Sequence, residues 1–141
     1  MIFYADDDLD DLMVFEDIAE ELGVDLMTFD SGMKMVERLA TPPPDPSVIF
    51  LDINMPLYNG IEILTIIRDR DDWKHIPVVM FTTSNDAAHI KDSMDAGATY
   101  YVKKDNDYTE LLKSIQYVIE REWKGFHPNA GNFVYPSDDQ G

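Results

Sequence analysis

Short apolar runs alternate with amphipathic stretches along the whole chain. Five runs have the length and composition of buried strands, and they lie at 2–5, 24–29, 48–51, 76–82 and 99–103. Each is followed by apolar residues at helical spacing, which predict helices at about 9–22, 32–39, 61–68, 85–96 and 108–123. Alternating strands and helices predict an α/β fold with a doubly wound, five-stranded parallel sheet. Right-handed crossovers favour the strand order 2-1-3-4-5, with the first and fifth helices on one face.

Turn residues separate these elements. Gly23 ends the first helix, Ser31 caps the second and Gly97 closes the fourth. The run TPPPDP at 41–46 is predicted to be a stiff connector, since consecutive prolines cannot form a helix. We predict one domain at 1–123 and a C-terminal tail at 124–141. Three aromatic residues in that tail indicate that part of it packs back on the domain.

Composition and charge narrow the classes of partner. Hydrophobic residues make up 45% of the 141 residues, which is enough for a globular core. The net charge of −17 argues against binding of nucleic acid or of an anionic membrane surface. The chain has no cysteine, no apolar run of membrane-spanning length and no signal-peptide pattern at its start. We therefore expect a cytoplasmic location, which this composition permits.

Polar side chains follow all five predicted strands, and Asp30 after the second strand has a simpler role as a cap of the next helix. Ligands of doubly wound sheets bind beyond the carboxyl ends of the strands, so these side chains are expected to converge. The residues concerned are Asp6 and Asp7 after the first strand, Asp52 and Asn54 after the third, Thr82 and Thr83 at the fourth, and Lys104 after the fifth.

The residue types indicate phosphoryl chemistry. Carboxylates held together repel one another unless a cation lies among them, and oxygen ligands of this kind suit Mg²⁺. A hydroxyl and a lysine bind phosphoryl oxygens. The set predicts that Asp52 is a carboxylate nucleophile that accepts a phosphoryl group with metal assistance. Simpler interpretations stay open: Asp52 as a turn residue, Thr82 as a strand residue, and the acids after the first strand as helix caps.

The motifs ADDD, FLDINMPLYNG, IPVVMFTTS and AGATYYVKK, in this order at strand ends, resemble the receiver domain of bacterial response regulators. The likeness is to CheY-like, stand-alone receivers with a flavodoxin-like (βα)5 fold, and it covers about 2–123. It implies that Asp52 is the phosphorylation site. It also implies that Asp6, Asp7, Asp52 and the Asn54 carbonyl bind Mg²⁺, and that Thr82, Thr83, Lys104 and Tyr101 are the phosphate-binding and switch residues.

The resemblance further implies a two-component relay. A sensor histidine kinase or a phosphotransfer protein would donate the phosphoryl group, and a downstream protein would read the result. The chain would catalyse only its own phosphoryl transfer and dephosphorylation. Leu9, Leu12 and Met13 on the first helix are the expected kinase-docking residues. Phosphorylation would draw Thr82 toward the new oxygens and let Tyr101 turn inward, which would alter the face made by the fourth helix, fifth strand and fifth helix.

The sequence departs from the family at the residue after the site lysine. The family usually has proline after the site lysine, but Asp105 follows Lys104 here, so we expect a trans peptide and a different loop. Asp105 would weaken phosphate binding unless it points to solvent.

Two other classes of protein compete with this interpretation. A phosphohydrolase of the dehalogenase type would need an acidic residue in place of Asn54. A degenerate receiver used only for docking would not need Asp6, Asp7, Asp52, Thr82 and Lys104 together.

Overall fold

Five strands and five helices alternate in the computed structural model, which describes residues 1–41 and 45–136. The strands are β1 (Ile2–Ala5), β2 (Leu26–Phe29), β3 (Val48–Leu51), β4 (Val78–Thr82) and β5 (Tyr100–Lys103). The helices are α1 (Leu9–Leu22), α2 (Gly32–Leu39), α3 (Gly60–Arg68), α4 (Ala87–Asp95) and α5 (Tyr108–Glu120). The middle of the predicted 41–46 connector and the last five residues of the predicted tail lie outside the described residues.

The strands form one parallel sheet in the order β2-β1-β3-β4-β5, which confirms the predicted topology. Ala5 at the end of β1 is in register with Leu51 at the end of β3. The backbone amide of Asp52 then donates to the Ala5 carbonyl at 3.1 Å. This register brings the residues that follow β1 and β3 to the same edge of the sheet.

Two apolar layers cover the faces of the sheet. On one face Leu12, Phe15 and Ile18 of α1 join Ile115 and Val118 of α5. On the other face α2, α3 and partly buried residues of α4 pack on the alternate strand positions. All four residues of β1 and all four of β3 are buried, as expected for strands covered on both faces. The predicted division of the helices between the two faces is confirmed.

Helix ends follow the predicted capping residues, with one correction. The Ser31 hydroxyl accepts from the Lys34 amide, and Gly23 ends α1 in the left-handed conformation at φ 70°. The prediction for α5 was too long, because the helix ends at Glu120 and Trp123 lies beyond it. The Trp123 indole folds back and donates to the Val118 carbonyl at 2.9 Å, which satisfies a carbonyl of the last turn.

The described part of the predicted tail, 124–136, packs on the domain. Phe126 contacts Trp123 edge-on, with ring centroids 5.0 Å apart. Further along, Val134 forms a parallel bridge with Tyr101 of β5. The domain boundary at 123 stays a prediction. Within residues 1–41 and 45–136, no helix has both the length and the apolar character needed to cross a bilayer.

Candidate functional site

A group of acidic side chains lies beyond the carboxyl ends of β1 and β3. Carboxylate oxygens of Asp6, Asp7 and Asp52 all lie within 4.8 Å of one another. Asp6 and Asp52 are buried, whereas Asp7 is exposed at the mouth of the site. Asp8 does not belong to the group, since its carboxylate accepts from the Asp10 and Asp11 amides and caps α1. The capping interpretation thus applies to Asp8, and three acids form the cluster.

A single lysine compensates part of this charge. The Lys104 ammonium lies 2.5 Å from Asp6 Oδ2, 2.9 Å from Asp11 Oδ2 and 3.7 Å from Asp52 Oδ2. Burial alone would lower the pKa of Lys104, but the hydrogen bonds that it donates to Asp6 and Asp11 and the charge of Asp52 raise it. Lys104 therefore stays protonated and acts as a fixed positive charge beside Asp52.

The surroundings of Asp52 shift its pKa toward neutral pH. Burial is the main cause that raises the pKa of Asp52 to about 6, and the negative charge of Asp6 acts in the same direction. The Lys104 ammonium, the Thr82 hydroxyl and the Asn54 amide favour the charged form and limit the rise. The carboxylate is thus desolvated and available at neutral pH, as a nucleophile must be.

The loop after Asp52 is held against it by a glycine. A side-chain Cβ at Gly60 would lie 2.2 Å from the Asp52 carbonyl oxygen, which is closer than any contact allows. The Gly60 amide also donates to the Ile53 carbonyl at 2.9 Å. Asn59 and Glu62 then form a capping box that starts α3. Only glycine permits this close return of the chain, which fixes Asp52 and Asn54 at the sheet edge.

The two predicted threonines differ in position. Thr82 is fully buried at the end of β4, and its hydroxyl is close enough to Asp52 to lower the pKa of that acid. Thr83 is exposed and lines a cavity of about 210 Å³ between α1 and α5, together with Lys104 and Asp11. The structure therefore brings Thr82 and Lys104 to Asp52, whereas Thr83 faces the adjoining cavity.

Tyr101 is also buried. Its side chain is 0% exposed, and its hydroxyl donates to the Ser84 carbonyl at 2.7 Å. Phe133 of the C-terminal segment is buried beside it, with ring centroids 6.1 Å apart. The ring thus lies inside in this structure, and its inward turn on phosphorylation stays a prediction.

Two residues near the site were missed by the sequence analysis. Asp11, in the first turn of α1, binds the Lys104 ammonium. Tyr4 donates a short hydrogen bond from its hydroxyl to Asp6, and burial together with Asp6 raises the pKa of that tyrosine. Tyr4 lies two positions before Asp6 on the same side of the strand, which was an available signal. For Asp11 the only signal was its place one helical turn after Asp7.

The structure also shows where Asp105 and the predicted docking residues lie. The Asp105 side chain is exposed and accepts from the Asp107 amide at 2.8 Å. Lys104 reaches Asp6 and Asp52 although aspartate follows it. Leu9 and Met13 on α1 are exposed, as a docking surface requires. Leu12 was wrongly included in that surface, because it faces the sheet and is buried.

Comparison with known proteins agrees with this geometry. The family described as the response regulator receiver domain matches residues 2–116. Rcp1 of Synechocystis sp. strain PCC 6803, a response regulator, is 36% identical over 80 residues, which are 57% of this chain and 54% of Rcp1. NtrC of Escherichia coli K12, a DNA-binding transcriptional regulator, is 27% identical over 99% of this chain. The matched region spans about half of Rcp1 and 29% of NtrC.

Solved structures show the same architecture. The phosphorylated cyanobacterial phytochrome response regulator RcpA superposes with a TM-score of 0.78 at 25% identity, covering 90% of this chain and 95% of RcpA. The Mn²⁺-bound form of Rcp1 gives 0.76 at 25% identity, covering 92% and 98%. The chain belongs to the response regulator receiver domains of two-component systems, a family for which phosphorylation and divalent-metal binding are typical.

Proposed function

We propose that Asp52 is the phosphoacceptor and that the chain works as a phosphorylation-controlled switch of protein–protein contacts. The observation that carries this proposal is that Lys104, at 3.7 Å, and Thr82 both lie beside one desolvated carboxylate. Both groups supply hydrogen-bond donors for phosphoryl oxygens. Neither structural capping nor a turn would require a buried lysine at this place.

The chemical step follows from these positions. An Asp52 carboxylate oxygen attacks phosphorus of a phosphohistidine, the P–N bond breaks, and the imidazole leaves with the bond's electron pair and then takes a proton from water. The product is a mixed anhydride on Asp52. The Lys104 ammonium and the Thr82 hydroxyl bind the phosphoryl oxygens, where negative charge must be stabilised during the transfer. Lys104 lies closer to Asp6 than to Asp52, so it must move or be shared when the phosphoryl group arrives.

The residues present fit a divalent cation. Three carboxylates with ligand oxygens within 4.8 Å of one another carry more negative charge than Lys104 can offset. Oxygen donors of this kind suit Mg²⁺. We propose that Asp6, Asp7 and Asp52 hold it with the Asn54 carbonyl, where it would neutralise charge on the phosphoryl oxygens. A cation bound to Asp6 would also free Lys104 for the phosphoryl group.

The surroundings of the site support a protein donor. Leu9 and Met13 expose 65% and 61% of their surfaces beside the cleft, and Leu57 exposes 95% in the loop after β3. We propose that a histidine kinase or phosphotransfer protein docks on these apolar side chains in the cytoplasm. A downstream protein, rather than nucleic acid or a membrane surface, would read the output, because the chain carries a net charge of −17. No turnover beyond phosphoryl transfer to and from Asp52 is proposed.

Intact-mass measurement after treatment with acetyl phosphate tests the proposal. We expect one added phosphoryl group with Mg²⁺ and almost none when a chelator is present. Asp52→Asn should abolish the addition. Asp8→Asn is the matched control, because it removes an acid near the cleft while asparagine still caps α1, and it should label normally. Equal labelling of Asp52→Asn would contradict the assignment. Repeated consumption of acetyl phosphate, with release of inorganic phosphate over many turnovers, would favour a phosphohydrolase instead.

A further inference from the structure

We propose that residues 132–136, the C-terminal segment, are a ligand for the open edge of β5 that the chain itself carries. We further infer that docking of this segment and phosphorylation of Asp52 favour each other. The second statement rests on the proposed function, and the first does not. The segment adds Phe133 to one apolar layer and Tyr135 to the other, and the remaining members of both layers come from other parts of the domain.

The backbone contacts are those of strand addition. β5 is at the end of the sheet, so one side of it has no partner among β1–β4. The Tyr101 amide donates to the Phe133 carbonyl at 3.0 Å, and the Tyr135 amide donates to the Tyr101 carbonyl at 2.9 Å. Open strand edges bind extended segments through such main-chain pairs. The segment therefore occupies an edge that would otherwise accept another chain.

Side chains fix the segment on both sides of that edge. Phe133 is 1% exposed and joins the apolar layer that contains Tyr101. Tyr135 packs on the other side against Tyr117 of α5, with ring centroids 5.4 Å apart. Alternating side chains that reach opposite faces are what a strand provides. The contacts are specific to this sequence, since glycine or polar residues at these positions would leave the edge and Tyr101 uncovered.

A continuous set of contacts joins the segment to Asp52. The Thr82 hydroxyl is close enough to Asp52 to lower the pKa of that acid, and the Ser84 amide donates to the Thr82 hydroxyl oxygen at 3.4 Å. The Ser84 carbonyl accepts from the Tyr101 hydroxyl at 2.7 Å. Tyr101 then pairs with the segment through its backbone and packs on Phe133. No residue in this set is more than one contact from the next.

The direction of the coupling follows from what each end does. A phosphoryl group on Asp52 brings further acceptor oxygens, and these would attract the Thr82 hydroxyl. Because Thr82 is joined to Tyr101 through Ser84, this attraction would favour the buried Tyr101 position that the structure shows. The docked segment stabilises the same buried position from the outer edge. Two events that favour one state increase each other's equilibrium constants by the same factor.

Amide hydrogen exchange of the full chain, followed residue by residue, tests both statements. Without additions, the Tyr101 and Tyr135 amides should exchange slowly, because both donate to carbonyl groups across the edge. Beryllofluoride with Mg²⁺, used as the phosphoryl mimic, should slow exchange at both amides about fivefold or more, a coupling of ordinary size. Conversely, Phe133→Ala should weaken beryllofluoride binding by the same factor. Phe126→Ala is the matched control, since Phe126 contacts Trp123 rather than Tyr101, and it should bind normally.

The possible results separate the inference from the function. Fast exchange at Tyr135 without additions would overturn the docking of the segment. Shifted Thr82 and Thr83 amides with unchanged or faster exchange at Tyr135 would overturn the coupling but leave the phosphoacceptor assignment intact. No response of Thr82 to the mimic would instead contradict the proposed function. If the protection of the Tyr135 amide rises with protein concentration, the segment of one chain pairs with β5 of a second copy. That result would overturn pairing within one chain.

Discussion

Two sides of β5, the cleft at its carboxyl end and the aromatic residues along its open edge, have opposite character. At its carboxyl end lies the cleft, where Asp6, Asp52 and Lys104 are buried together. An aromatic cluster lies along its open edge. On the α5 face it is formed by Tyr100, Tyr117, Trp123, Phe126 and Tyr135, and on the opposite face by Tyr101 and Phe133. The cleft concentrates charge in a poorly solvated place, whereas the aromatic cluster buries rings. One region is arranged for reaction and the other for stability.

The difference has a simple physical basis. Ionised side chains lose hydration when they are buried, and two carboxylates facing one lysine are only partly compensated. Aromatic rings gain on burial, and edge-on pairs such as Trp123 with Phe126 add to this gain. We infer that the aromatic cluster stabilises a domain whose reactive end is intrinsically strained by charge. Substitutions on the two sides of β5 should therefore change stability in opposite directions.

The largest effect is expected in the aromatic cluster. Trp123→Ala removes a buried ring and the bond from its indole to Val118, and should lower the free energy of unfolding by about 3–5 kcal/mol. Urea unfolding followed by circular dichroism would measure it. Trp123→Phe, which keeps a ring but loses the indole donor, should cost clearly less. A loss below about 1 kcal/mol for Trp123→Ala would show that this cluster contributes little.

The opposite sign is expected at the cleft. Burial raises the pKa of Asp52 to about 6, from an ordinary 3.8, so the folded state keeps a proton that the unfolded state loses between these values. Stability is therefore present below the ordinary pKa and falls as pH rises through about 6. Asp52→Asn removes this fall, and without metal it should stabilise the protein at pH 7 by about 1–3 kcal/mol.

Unfolding with denaturant at pH 4.5 and pH 7 would check this prediction. The advantage of Asp52→Asn over the native chain should be greater at pH 7, and Mg²⁺ should reduce it by stabilising only the native carboxylate cluster. If Asp52→Asn destabilises the protein equally at both pH values, the cleft is not under charge strain. The comparison between the two sides of β5 would then fail.

The smallest effect is expected at Asp11, which binds Lys104 from the cavity side. Asp11→Asn keeps an acceptor for the lysine and removes one negative charge, so stability should change by no more than about 0.5 kcal/mol. Lys104 should move more freely to a phosphoryl group, which should increase the rate of labelling by acetyl phosphate a few-fold. Asp17→Asn, on the exposed side of α1, is the matched control. A slower rate for Asp11→Asn alone would mean that Asp11 is needed to position Lys104.

The sheet and the cluster at its edge could be predicted because both follow from local pattern. Four-residue apolar runs such as 48–51 define strands, and parallel strands bring their following residues together. The end of α5 was missed because it depends on Trp123 folding back. The Asp11–Lys104 pair and the buried position of Tyr101 depend on contacts between segments 32 or more positions apart. No periodicity along the chain encodes such pairs.

The central claim is that Asp52 is the residue that carries the phosphoryl group. Reduction with borohydride after acetyl phosphate treatment converts an aspartyl phosphate to homoserine, which peptide sequencing by mass spectrometry locates. We predict homoserine at position 52, dependent on Mg²⁺ during the labelling. Homoserine at Asp7 or Asp8, with Asp52 unmodified, would contradict the account.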